Sequence, residues 1–191
     1  MDRLASTVAE VLSPFVLVGL ILGVVALRFE DHPAFIAGGL ALFLVVIPQA
    51  LAMWMAHTKR TTDKFIAKRE QRHLFYALSA GSFVVGIAFV WIAQASWQLR
   101  FASTFALGIL GVVAVINLKL KISVHALAAS FTALSIPLVL GTSWIALLLI
   151  PAAICVPWAR VHQGRHSTLE ACSGFLLGLL AGTLFSTLLV R

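Results

Sequence analysis

The chain has 191 residues, 61% of them apolar and only 11% charged, with 14 Lys and Arg against 7 Asp and Glu. Soluble domains carry about a quarter charged residues, so an ordinary soluble fold is excluded and a polytopic membrane protein is expected. The formal net charge of +7 does not point to nucleic acid, because the basic residues sit in short loops between apolar runs, where charge sets membrane orientation.

Linkers this short leave no room for a second domain, so the expected fold is all-α: one transmembrane helical bundle over residues 1–191 with about seven (six to seven) spans. Asp2, Arg3 and Glu10 precede the first apolar run, about Val11 to Leu27, and no small-residue cleavage site follows it. The run is therefore read as a retained helix, with Pro14 near its start, where a missing N–H costs little. Arg28 to His32 form a tight polar turn, and Pro33 opens a second span to about Ala56, kinked at Pro48.

The longest hydrophilic stretch follows, His57 to His73, with Lys59, Arg60, Lys64, Lys68, Arg69 and Arg72 against Asp63 and Glu70. Most of these charges read as a cytoplasmic positive-inside loop. The third span runs from about Leu74 to Ala93 and the fourth from about Phe101 to Leu118, with Trp97 as an interfacial anchor in the turn between them. Lys119 to Ala126 lead into a fifth span, about Val124 to Leu140, whose N-terminus Ser123 can cap, leaving N–H groups and the positive dipole end facing an anion. A Ser-x-His at a helix start, here Ser123 and His125, is by itself more often a capping feature than a site.

The sixth span, Trp144 to about Trp158, contains Pro151 and Pro157, and the seventh, about Ala171 to Val190, places Gly174 and Gly178 four apart for close helix approach. That spacing suits packing within the chain first and a homo-oligomer seam second. Cys155 and Cys172 lie near helix ends on the expected cytosolic side and read as packing residues rather than a disulfide.

Between the last two spans lies a polar island, Arg160 to Glu170, in which Arg160 precedes His166 by six positions and Glu170 follows it by four. On a helix starting near Ser167 the carboxylate would stand one turn beyond the imidazole. Such a trio suits phosphoryl chemistry: an imidazole can attack phosphorus, a carboxylate can hold its far nitrogen protonated, and a guanidinium matches phosphate oxygens.

The spacing Arg-x5-His-x3-Glu resembles the third signature of the type 2 phosphatidic acid phosphatase (PAP2) superfamily, Ser-Arg-x5-His-x3-Asp, with Ala159 for the serine and Glu170 for the aspartate. Ile122-Ser123-Val124-His125 resembles the second, Pro-Ser-Gly-His. For the first, Lys-x6-Arg-Pro, the chain offers Lys64 and Arg72 one residue too far apart, with His73 in place of the proline; Asp63, Arg69 and Arg72 fit an Asp, Arg-x-x-Arg variant better. Two crossings separate each polar stretch from the next, which puts all three on one membrane face. Lysines and arginines concentrate on that face, so the site and the N-terminus are expected in the cytosol, in the plasma membrane of a prokaryote.

The resemblance implies a phosphatase needing no metal or cofactor. In it His166 is the nucleophile, Glu170 its orienting carboxylate and His125 the proton donor, while Arg160, Arg72, Arg69, Lys64 and Ser123 hold phosphate. The implied substrate is a lipid phosphate, either phosphatidate-like or an isoprenyl phosphate or diphosphate. The alternative is a noncatalytic PAP2-related protein or transporter that binds lipid phosphates; a transporter would place strongly polar groups at mid-span, whereas Gln49 and Asn117 fall near helix ends.

Overall fold

The computed structural model describes residues 1–61, 66 and 68–190, with the backbone alone at Arg69. These residues are helical almost throughout, with no strand among them. The helices are α1 (Asp2–Val11), α2 (Pro14–Phe29), α3 (Pro33–Ala41), α4 (Ile47–His57), α5 (Arg72–Ile92), α6 (Trp97–Ile116), α7 (Val124–Leu140), α8 (Ala146–His162) and α9 (Thr168–Leu189). Among the described residues six stretches are long and apolar enough to cross a membrane, Asp2–Phe29, Pro33–His57, Arg72–Ile92, Trp97–Ile116, Ser143–His162 and Thr168–Leu189, and α7 is a shorter apolar helix. The chain is an all-α polytopic membrane protein. α7 has 17 residues, a length of about 25 Å at 1.5 Å per residue, close to the lower limit for a span.

The first expected span, about Val11 to Leu27, is α2, and a separate helix, α1, precedes it. Ser13 breaks the chain and its hydroxyl oxygen accepts a hydrogen bond from Val16 N at 3.4 Å, so Pro14 opens α2 where its absent N–H is not needed. α1 buries Ala5 and Ala9 and turns Arg3, Thr7 and Glu10 outward, the pattern of a helix lying half in protein. The last helix begins at Thr168, a turn before the apolar run, because Ser167 caps it.

The helices form two compact units, Met1–Val24 with Leu120–Arg191, and Val25–Lys119. In the first, α7 is the buried element. Leu17, Ala128, Ala129, Ala133, Ala153 and Val156 make a core into which Val8, Leu12, Leu149 and Phe175 pack. α9 lies along α7 and runs the same way, since Gly174 meets Ser123, Gly178 meets Leu127 and Ser130, and Gly182 meets Phe131 and Ser135. At Gly174 and Gly178 any side chain would strike the Ser123 and Leu127 carbonyl oxygens. The four-residue glycine spacing thus serves contact within the chain. Ser130 Oγ donates to Phe175 O at 2.7 Å, and the Phe131 and Phe185 rings sit 5.2 Å apart.

In the second unit α5 packs against α3, α4 and α6. Pro48 has no N–H to donate, and the helix answers one turn earlier with a π-helical stretch, Leu42–Val46. Ser82 Oγ of α5 donates to the Phe43 carbonyl at 2.6 Å, and Gly86 leaves room for Phe43 and Leu44. At the start of α6, Glu30 Oε1 accepts from Ser96 N at 2.6 Å while Ser96 Oγ caps Leu99 N.

Candidate active site

Five of the predicted site residues, Ser123, His125, Arg160, His166 and Glu170, belong to the first unit. Their arrangement begins with the end of α8. Gly164 adopts φ +64, a left-handed conformation that suits glycine. This lets Gly164 N donate to Val161 O at 2.9 Å and Arg165 N to Arg160 O at 3.1 Å, the Schellman pairing that ends a helix. His166 N also donates to Arg160 O, at 3.3 Å. The six-residue interval from Arg160 to His166 is therefore the length of one helix termination, with both residues tied to one carbonyl.

The start of α9 fixes the other interval. Ser167 Oγ accepts from Glu170 N at 3.3 Å, and Glu170 Oε2 accepts from Ser167 N at 3.1 Å, a reciprocal capping box written in the sequence as Ser-x-x-Glu. The same Oε2 lies 3.1 Å from His166 Nδ1, and Lys121 O lies 3.2 Å from that nitrogen. Both neighbours are acceptors, so in the neutral ring Nδ1 carries the proton and Nε2 the lone pair; the tautomer is inferred from these partners.

The segment before α7 completes the group. Ser123 N donates to Glu170 O at 3.2 Å, Lys121 Nζ donates to Arg165 O at 2.6 Å, and Ser123 Oγ caps α7 by accepting from Ala126 N at 3.4 Å. Because α7 and α9 run parallel, their N-termini share one end of the unit, and His125 occupies the first turn of α7 there. Ser123 is fully buried, and His125, Arg160 and His166 are nearly so. Arg160 Nη1 donates to Gln163 Oε1 at 3.0 Å.

The basic-loop candidates belong to the second unit's part of the chain. Arg72 opens α5 in the second unit and is buried, its Nε donating to Ile66 O at 2.9 Å and Nη1 to Asn117 Oδ1 at 3.3 Å. Arg69 begins a short 3-10 turn, Arg69–Gln71, and its side chain, like Lys64 and Asp63, lies outside the described residues. Among the described residues no three His, Cys, Asp or Glu side chains gather as a metal site. Cys155 and Cys172 are both free and exposed, so the expectation that they pack inside is corrected.

Two contributors escaped the sequence reading: Lys121, which acts through its carbonyl, and Gln163, whose side chain holds Arg160. Ser167 was placed at the helix start, but its reciprocal cap with Glu170, legible as Ser-x-x-Glu ahead of an apolar run, was not drawn. No protein-family model, curated protein or solved structure matches this chain.

Proposed function

We propose that the protein is a lipid phosphatase working at the membrane surface through a phosphohistidine on His166. The observation that carries this reading is the hold on His166 Nδ1 by Glu170 Oε2 and the Lys121 carbonyl, which leaves the opposite ring nitrogen as the nucleophilic atom. In the first step the Nε2 lone pair attacks phosphorus, the ester P–O bond breaks, and His125 gives its proton to the departing lipid alkoxide. Positive charge grows on the His166 ring as this happens, and Glu170 stabilises it. In the second step a water attacks phosphorus while His125 takes its proton, the N–P bond breaks, and the electron pair returns to Nε2 with release of phosphate.

Arg160 is the cation of this unit suited to nonbridging phosphate oxygens. Ser123 contributes through the helix it caps: its own amide is taken by Glu170 O and its hydroxyl accepts from Ala126 N, which leaves it to place the positive dipole end of α7 toward the phosphate. For Arg72, Arg69 and Lys64 the phosphate-binding role rests on the sequence pattern. The mechanism needs no metal, because the carboxylate activates the imidazole. The bias of Lys59, Arg60, Lys68, Lys119 and Lys121 over Arg28 and Arg100 supports a cytosolic location for the site.

The test is phosphate release from phosphatidate and prenyl phosphates in EDTA, beside His166→Ala, with acid-quenched protein probed for phosphohistidine. Turnover lost in His166→Ala, together with a trapped, acid-labile phosphoprotein in the wild type, is expected. Activity that disappears in EDTA and returns with Mg, or an absence of turnover on every lipid phosphate, would favour respectively a metal enzyme or the noncatalytic lipid-binding alternative.

A further inference from the structure

Lys121 carries one of the charges that bias the chain's orientation, yet its main chain and its side chain both reach the candidate site. Ile122 N donates to Leu120 O at 2.8 Å, which closes a γ-turn with Lys121 at its centre. The carbonyl and the side chain of a central residue stay outside such a turn's own hydrogen bond, so both are left for other partners. Lys121 Nζ donates to Arg165 O at 2.6 Å, and Lys121 O accepts from His166 Nδ1 at 3.2 Å. One residue thus grips the peptide that joins Arg165 to His166 and the ring of His166 as well. We propose that Lys121 is a positioning residue for His166: its ammonium is a strut that keeps this peptide against the turn, and so keeps a backbone carbonyl on Nδ1 whatever side chain stands at position 170. The inference deepens the phosphatase reading and rests on it for its kinetic consequence, whereas the state of the ring is readable without turnover.

Three observations carry the strut. The first is the bond itself, which is short and has a charged donor, the stronger kind, on a half-buried lysine whose stem stays on protein. The second is the ladder it belongs to. Ser123 N donates to Glu170 O at 3.2 Å, with buried Ile122 in between, so the far end of the turn is fixed by main chain and the near end by the ammonium. The third is the chemistry of the two acceptors at Nδ1, Glu170 Oε2 at 3.1 Å and Lys121 O at 3.2 Å. A carbonyl has no proton to give, so it favours only the tautomer that carries the proton on Nδ1. An amide in place of the carboxylate could turn its own N–H toward Nδ1 and favour the other tautomer. The carbonyl is therefore the partner that fixes the tautomer, and the carboxylate the one that answers the positive charge formed during attack.

The ring can be read directly in purified protein with isotope-labelled histidine, because nitrogen chemical shifts tell a protonated ring nitrogen from one with a lone pair. The His166 signals are those missing from His166→Ala. At a pH where the ring is neutral, wild type and Glu170→Gln should both hold the proton on Nδ1. Lys121→Met combined with Glu170→Gln should show it shared between the two nitrogens. Lys121→Arg combined with Glu170→Gln should return it to Nδ1, since a guanidinium can reach the same carbonyl, and this separates the strut from a loss of folding. A Glu170→Gln ring protonated on Nε2, or a Lys121→Met, Glu170→Gln ring still protonated wholly on Nδ1, overturns the inference.

A second arm uses active protein. Lys121→Met should lower kcat by about 10–100-fold with KM little changed, as for outer groups that orient a ligating histidine, and Lys121→Arg should recover most of the loss. Lys119→Met removes the same charge from an exposed position two residues earlier, and should leave kcat and the ring as in wild type. A raised KM at unchanged kcat in Lys121→Met would make the ammonium a phosphate ligand, and equal effects of Lys119→Met and Lys121→Met would make both lysines orientation charges; either overturns the proposal. Absence of turnover in wild-type protein on every lipid phosphate would sink the phosphatase reading alone, with the ring spectra still deciding whether Lys121 holds His166.

Discussion

Glu170 Oε2 receives two donors, the Ser167 amide and the His166 ring, so one carboxylate both closes a helix cap and orients the imidazole. This gives a physical reason for Glu where the resembled pattern has Asp: a capping box needs the longer side chain to reach back to the N-cap amide. Glu170→Gln keeps an oxygen for the cap and removes the charge. It should lower turnover by about two to four orders of magnitude, as when an imidazole loses its orienting carboxylate, while the unfolding temperature stays close to wild type. Ser167→Ala should do the reverse, lowering stability by about 1 kcal/mol in a thermal melt and sparing most of the turnover. Similar turnover losses in the two variants would mean that Glu170 serves the helix alone. Glu170→Asp, too short for both tasks, should fall between wild type and Glu170→Gln in activity.

At the scale of the helices, the parallel contact of α7 with α9 sets the distance between Ser123 and Glu170, and it depends on glycine. Gly174→Ala drives a methyl into the Ser123 carbonyl and Gly178→Ala one into that of Leu127. Each should cost about 1–3 kcal/mol, read as a lower melting temperature in detergent. Gly174→Ala should also depress turnover, because Ser123 N bonds Glu170 O. Gly108→Ala on α6, where nothing lies within 4 Å of the added carbon, should not lower stability. A melt in which Gly108→Ala and Gly178→Ala behave alike would contradict the close approach. The spans were legible in the sequence because about 20 apolar residues in a row are hard to read otherwise. Arg160, His166 and Glu170 were legible as intervals, for those intervals are one helix end and one helix turn. The break at Ser13 and the π-helical stretch before Pro48 were not, since both depend on what neighbouring helices accept. Arg72 was read for its charge; the bonds its guanidinium makes to the Ile66 carbonyl and to Asn117, which caps the end of α6, depend on neighbours distant in the sequence.

For the molecule as a whole, the excess of basic residues on alternate loops predicts which loops meet the cytosol. Thr61, in the middle of the basic loop, is buried and a poor reporter, whereas Lys68 and Gln94 are exposed. In protein lacking Cys155 and Cys172, a cysteine at Gln94 should react with an impermeant maleimide in intact cells, and one at Lys68 only after permeabilisation. The reverse pattern would turn the site outward. α7 bears on how such a chain is made. It is the shortest of the apolar helices considered as spans, and it buries Ser130, Thr132 and Ser135 against protein, with Ser130 finding its partner outside α7 at the Phe175 carbonyl of α9. During synthesis α7 enters the bilayer before α9 exists, at a stage when Ser130 has only carbonyls of its own helix, Ala126 and Leu127, to bond. The ribosome therefore delivers a span that is held late: nascent chains stalled just after α8 should lose α7 to urea extraction more readily than chains stalled beyond α9.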